Sequence, residues 1–258
     1  ATAPRMRIPA TATIITRNES GNIKACIESV AFFDEILVVD SGSTDDTVAL
    51  AQAAGATVLH HPWPGFGPQK QFAQENAHND WIFSIDADER VSSALQGEIR
   101  RLFAAEPKAE GYAVNRCNHF LGRPLRHGEG YPDWCLRLFD RTRGGWSADA
   151  VHEKVLIDGT TERIDGDLDH FSGESLAAYL EKQNHYTTLQ ARDLYAGGKS
   201  ATVFKLTVSP FVRFLKFYVV RLGFLDGVPG LIHILIGCFN SFCKYAKLRE
   251  LHQGQRDR

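Results

Sequence analysis

Four short runs of apolar and β-branched residues, over 11–16, 35–40, 57–60 and 81–86, dictate what the N-terminal part of this chain can become. Each has the length of one buried strand, and polar residues bound each run. Between the first two, Ile23, Cys26, Ile27 and Val30 recur at three- and four-residue spacing, which predicts a helix with one apolar face. A second helix is expected over 47–54, capped by Thr44 or Asp45 and stopped by Gly55. A third is expected over 70–77, after a loop rich in Pro and Gly. Strand–helix alternation of this kind builds a mainly parallel sheet with helices on both faces. Ligands bind such sheets beyond the carboxyl ends of the strands. Asn18-Glu19, Asp40 and Asp86-Ala87-Asp88 should therefore converge on one edge.

Further along, a helix is expected over 93–103, short strands over 111–117, 135–140 and 151–157, and a helix over 174–195. Gly197-Gly198 then marks a boundary. Charge changes sign there: residues 1–198 carry 19 Lys+Arg against 28 Asp+Glu, net −9, and residues 199–258 carry 10 against 3, net +7. The expected organisation is one domain over 1–198, with halves over 1–105 and 106–198, followed by a basic extension over 199–258. A basic, aromatic-rich tail on an acidic body suits an anionic membrane surface or nucleic acid. Its aromatics are interleaved with Leu, Ile and Val and no RNA-binding signature occurs, so no nucleic-acid partner is expected.

Arg213, Lys216 and Arg221 share one arc if their segment is helical, among Phe211, Phe214, Leu215, Tyr218, Val219 and Leu222. That suits an interfacial helix, the alternative being an ordinary packed helical pair. The apolar stretch 228–239 is interrupted by Pro229 and Gly230 and falls short of the ~20 residues a span needs. Lying on a membrane is the expectation. The five cysteines are odd in number and form no Cys-x-x-Cys pair, which argues against a structural zinc site or a disulfide framework. With no charged-then-apolar leader in the sequence given, a cytoplasmic, peripheral location is expected.

Asp86-Ala87-Asp88 is the strongest chemical signal. Side chains two apart in an extended segment point the same way, so both carboxylates can face one cavity and hold Mg²⁺ or Mn²⁺ against a diphosphate; a solvated acidic turn is the plain alternative. Asp40 can accept hydrogen bonds from a base or ribose, or merely cap a turn. A calcium loop is excluded by the missing Gly and Glu at their required spacing, and G-x-G-x-x-G and P-loop motifs are absent.

The runs IITRNES, ILVVDSGSTDDT, HPWPGFGPQKQFA and WIFSIDADERVS, in that order, resemble inverting family-2 glycosyltransferases of the GT-A fold. Closest is the lipopolysaccharide-core β-1,4-glucosyltransferase branch, which also shows D-W-x-x-R-L-F (Asp133–Phe139 here), V-H-E (Val151-His152-Glu153), L-x-H (Leu168-Asp169-His170) and GFLDG (Gly223–Gly227). The resemblance implies an α/β, Rossmann-like mixed sheet plus a C-terminal helical membrane-associating extension. It also implies transfer of a hexose, glucose by preference, from a UDP-sugar to a lipid-linked lipopolysaccharide core acceptor. Other lipid-linked or cell-envelope glycans are alternative acceptors.

Roles follow from the same resemblance. Thr16, Asn18, Glu19 and Asp40 would line the nucleotide pocket, Asp86 would approach the ribose and Asp88 the metal. Glu153 would be the base that deprotonates the acceptor hydroxyl, with Asp133 the alternative, and His152 would orient Glu153 or touch the diphosphate. Lys70 would either meet the base or phosphates or sit solvated at the surface. His170 would be a metal or phosphate ligand, or a hydrogen-bonded histidine at a strand end. Arg137 would hold diphosphate through its planar fork, or lie exposed on an alternating strand. A sugar nucleotidyltransferase and a non-catalytic binding module are the rival readings.

Overall fold

The structure, a computed structural model, describes residues 7–147, 153–173 and 175–253. Contacts divide the chain into one unit of Ala1–Cys117 with Asp133–Phe171 and a second of Asn118–Pro132 with Ser172–Arg258.

In the first unit the four apolar runs become β1 (Ile8–Thr16), β2 (Phe33–Asp40), β3 (Thr57–His60) and β4 (Trp81–Asp86). They lie in the order β3-β2-β1-β4, all parallel. The sheet continues antiparallel through β8 (Asp133–Asp140) and β6 (Gly111–Phe120), whose end pairs with the two-residue β7 (Arg123–Pro124), then β11 (Thr161–His170) and β5 (Glu89–Val91). Register fixes the functional edge: Thr16 pairs with Asp40, Ile15 with Asp86, and Asp40 with His60. The polar strand ends therefore fall at one level.

Ile14, Val38, Phe83 and Ile85, all fully buried, form the centre of the core. The helix α1 (Ile23–Val30) covers it with Ile23, Cys26, Ile27 and Val30, the four residues whose spacing predicts that face. α2 (Thr47–Ala53) follows β2, and Asp45 Oδ1 accepts from the Thr47 amide at 3.1 Å just before it. α3 spans Phe66–Glu75, four residues earlier than expected. Gly65, at φ +116°, turns the chain, and Pro68 falls in the first turn, where no amide hydrogen is needed. α4 (Ser93–Ala104) is capped by the Ser92 hydroxyl and packs on β11. A Cβ on Gly166 would lie 2.4 Å from the Leu95 nitrogen, so only glycine permits that contact. β9 (Gly144–Trp146) and β10 (Val155–Ile157) make a separate hairpin, and residues 151 and 152 of the expected strand lie outside the described residues.

The second unit contains α5 (Leu176–Ala196), α6 (Val203–Phe214), a π-turn over 215–220 and α7 (Gly227–Gln253), with α5 and α6 both packed on α7. The helix expected before Gly197 thus falls with the C-terminal helices, because its partner is α7. Lys247 Nζ donates to Asn184, Thr187 and Thr188 oxygens at 2.7–2.8 Å, and Asn240 bonds Gln183 at 2.7 Å. The GFLDG run is structural here: Asp226, buried, bonds His127 Nδ1 at 2.8 Å, and a Cβ on Gly223 would lie 2.3 Å from Ile234.

Two expectations for the tail change. Pro229 and Gly230 do not interrupt the helix, since they occupy its first turn, and 223–253 is long and apolar enough to cross a membrane, with a mean hydropathy of 1.3 over an 18-residue window. The arc of Arg213, Lys216 and Arg221 is also altered. The π-turn changes the spacing, Arg213 pairs with Glu129, and Arg221 donates to the Tyr131 carbonyl at 2.5 Å.

Phe83 stacks on Phe33 at 5.3 Å in the middle of the sheet. Truncating it (Phe83→Ala) is expected to lower the unfolding free energy by roughly 3–5 kcal/mol, read as a lower urea midpoint.

Candidate functional site

The loops after β1 and β2 are stitched together by their own side chains. Asp40 Oδ2 accepts from the amides of Gly42 and Ser43 at 2.9 Å, and its Oδ1 accepts from the Ser43 hydroxyl at 2.5 Å. Gly42 allows the tight return at φ +92°. Asn18 Oδ1 accepts from the Thr44 amide and the Asn18 amide donates to Ser43 Oγ, both at 2.8 Å. The Glu19 amide donates to the Thr47 hydroxyl at 2.8 Å. Hydrogen bonds from Thr47 and Ser20 hold the Asp45 carboxyl at about 2. Asn18 and Asp40 thus shape the edge: Asp40 is buried, with its carboxylate spent on its own turn.

Two cavities open at that edge. The first, about 380 Å³, is lined by Thr16, Glu19, Asp86, Asp88 and His170 among the expected residues, and also by Arg17, Trp63 and Phe66. His170, at the end of β11, places Nε2 3.2 Å from Asp88 Oδ2. The Thr16 hydroxyl is shielded from solvent and has no hydrogen-bond partner among the described residues. Trp63 and Phe66 meet edge to face at 4.8 Å and stay 43% and 49% exposed.

The second cavity, about 290 Å³, is lined by Lys70, Asp86, Arg137 and Glu153 together with Arg116, Trp134, Trp146 and Lys154. The buried Lys70 ammonium lies 3.2 Å from Asp86 Oδ1 and 3.1 Å from Glu153 Oε1, and 4.8 Å from the Trp146 ring centre. Arg137 donates to Asp86 Oδ2 at 3.1 Å and to Glu89 Oε1 at 2.6 Å. Glu89 Oε2 in turn accepts from the Asp86 amide at 3.0 Å. Five charges therefore run in alternating sign from Glu153 through Lys70, Asp86 and Arg137 to Glu89. Burial works against the Asp86 charge, yet Arg137 and Lys70 outweigh it and hold the carboxyl well below the usual range. Burial pushes the Glu89 carboxyl up, opposed by the Arg137 guanidinium. Arg137, flanked by two carboxylates, is held protonated above its ordinary value despite its burial.

The expected site residues thus fall into separate groups. Thr16, Glu19, Asp88 and His170 share the first cavity, Lys70, Arg137 and Glu153 share the second, and Asp86 lines both. Lys70 is not a solvated surface lysine, and Arg137 is 4% exposed rather than open on an alternating strand. Asp133 pairs with Arg116 at 2.8 Å and lines neither cavity. His152 lies outside the described residues. Glu89 was legible only as the third acid of Asp86-Ala87-Asp88-Glu89, and nothing in the local pattern separated it from a solvated acid. The aromatics Trp63, Trp134 and Trp146 carried no sequence signal beyond their type.

Residues 11–157 match the family described as glycosyl transferase family 2. The lipopolysaccharide core biosynthesis glycosyltransferase LpsC of Rhizobium meliloti (strain 1021) is 35% identical, over 95% of this chain and 94% of its own. An uncharacterized glycosyltransferase of Rickettsia typhi is 34% identical, over 95% and 88%. Among solved structures, glucosyl-3-phosphoglycerate synthase of Mycobacterium tuberculosis with Mg²⁺ and UDP is 22% identical over 52% of this chain, at a TM-score of 0.38. This chain spans about half of that protein, 57%.

Because Asp86 is held ionised in the fold, its contribution to stability is full above the ordinary aspartate value of 3.8 and is lost as pH falls toward the much lower folded value. The wild-type melting temperature should drop as pH falls from about 4 to about 2, and Asp86→Asn should show a smaller drop over the same window.

Proposed function

Because the chain belongs to glycosyl transferase family 2, we propose that it moves a hexose, glucose in the first instance, from a UDP-sugar to a lipopolysaccharide inner-core acceptor with inversion at the anomeric carbon. The chain is a glycosyltransferase with a GT-A-like, mostly parallel sheet, and a relative named for lipopolysaccharide core biosynthesis covers nearly its whole length. The observation that carries the finer reading is that two cavities meet at Asp86, with Asp88 and His170 on one and Glu153 on the other.

The first cavity suits a nucleotide-sugar. Its buried Thr16 hydroxyl lacks a partner among the described residues, and its exposed Trp63 and Phe66 offer faces to a planar base. The donor set also suits a hard divalent cation: one carboxylate and one imidazole face an open cavity, leaving the remaining positions to oxygen ligands. Bound by Asp88 and His170, Mg²⁺ or Mn²⁺ would neutralise the departing diphosphate.

The chain's own groups do the rest. Lys70 fixes the Glu153 carboxylate, which takes the proton of the acceptor hydroxyl as that oxygen attacks the anomeric carbon. Asp86, kept ionised by two cations, accepts from ribose or sugar hydroxyls without moving. Asp133, already bonded to Arg116, is the weaker candidate for the base.

The second unit supports a peripheral membrane location. Phe204, Phe211, Val220 and Val228 are exposed, Val220 by 75%, together with Val203, Val212 and Phe239. Between Val203 and Arg249 the chain carries seven Lys+Arg and one acid, Asp226, which is buried. An apolar surface whose exposed charge is basic fits the headgroup region of anionic lipid. All five cysteines are free, as a cytoplasmic location favours.

Asp88→Ala should lower transfer from UDP-glucose to truncated lipopolysaccharide by at least about a hundredfold, with an unchanged melting curve, and excess chelator should do the same to the wild type. Release of pyrophosphate in place of UDP would instead make the enzyme a nucleotidyltransferase. In co-sedimentation the full chain should bind phosphatidylglycerol vesicles over phosphatidylcholine ones, less so at high salt. Phe204→Glu with Val220→Glu should abolish that binding while leaving UDP binding intact.

A further inference from the structure

We infer that the second cavity is a binding site for an acidic saccharide, one carrying a carboxylate or a phosphate. Within the proposed reaction, on which this assignment rests, that saccharide is the acceptor. The cavity's 290 Å³ lies near the ~300 Å³ lower end of small-ligand sites. Trp134 and Trp146 stand on its wall, and sugar rings lay their C–H faces against such aromatic surfaces. Two donors on the same wall, Trp146 Nε1 and Arg137 Nε, are shielded from solvent and have no acceptor among the described residues. A buried donor left without a partner is costly, so its retention calls for a group that completes it. A hydroxyl-rich ring supplies such oxygens.

Charge decides the class of sugar. Both carboxylates on the lining, Asp86 and Glu153, are bonded to Lys70, and Asp86 to Arg137 as well. Arg116 is answered by Asp133. Lys154 lines the cavity, is exposed, and has no carboxylate partner among the described residues. The lining itself carries four cations, Lys70, Arg116, Arg137 and Lys154, against two carboxylates, Asp86 and Glu153, so its charge favours an anion. Glu153 shares the lining, which brings a hydroxyl of the bound ring to the proposed base, whereas Asp88 and His170 lie on the other cavity.

The test titrates the full chain, with UDP and Mn²⁺ present, against glucose, glucose 6-phosphate, glucuronate and inorganic phosphate, read by calorimetry and tryptophan fluorescence. Glucose 6-phosphate and glucuronate should bind at least about tenfold more tightly than glucose, and more tightly than phosphate alone. Lys154→Glu should remove the preference for the acidic sugars, and Trp134→Leu should weaken all three sugars, with UDP affinity unchanged in both. Equal binding of glucose, equal binding of free phosphate, an unaltered preference in Lys154→Glu, or competition of the acidic sugars with UDP would each overturn the assignment. UDP affinity, read separately, tests the glycosyl-transfer reading. A wild type that binds the acidic sugars but not UDP would sink that reading and not the saccharide site.

Discussion

The carboxylate of Asp86 is the point on which the site depends. It ends β4, the strand between the parallel and antiparallel parts of the sheet, and lies within 3.2 Å of Lys70 and 3.1 Å of Arg137. Neither cation could be buried alone, since an uncompensated interior charge costs several kcal/mol or more. Their partners are therefore dictated: Lys70 reaches Glu153, and Arg137 reaches Glu89. One alternating line of charge thus ties α3, β4, β5, β8 and the segment entering β10 together. The arrangement confers geometry more than stability, because apolar residues could fill the same space with less desolvation.

Around that line, the parallel register does the aligning. With Thr16 opposite Asp40 and Ile15 opposite Asp86, three strand ends reach the same level, and the loops leaving them must share one surface. Asn18, Asp40, Ser43, Asp45 and Thr47 satisfy one another's hydrogen bonds there. Hydroxyls and carboxylates of the kind that bind ligands are here spent on one another, and a rim tied in this way can hold a ligand without reordering.

Much of this was legible in the sequence. Buried parallel strands read as unbroken apolar runs, so β1 to β4 and the face of α1 followed from periodicity alone. The polar β11 did not: in TERIDGDLDH only Ile164 and Leu168 are apolar, and both pack toward the core. Its neighbour β5 has three residues, too few for any period. α7 was misjudged because Pro229 and Gly230 look like breakers when their position in the helix is unknown. Asp40 was legible as an acid at a strand end, but its turn chemistry and a ligand role use the same residue types, and only coordinates separate them. Lys70 and Glu153 are 83 residues apart, so no local pattern could announce their bond.

The two acids of Asp86-Ala87-Asp88 then divide the work through their surroundings. A carboxylate with a cation on each oxygen has little negative potential left for a third, so Asp86 is a poor metal ligand and a good fixed acceptor of hydroxyls. Asp88, two residues beyond the strand end, faces the His170 imidazole instead of a lysine or an arginine. In the proposed reaction its charge is the one left to meet a divalent ion, on the cavity that Thr16, Trp63 and Phe66 also line. The identical side chains differ because the fold supplies Lys70 and Arg137 to one of them and leaves the other to His170.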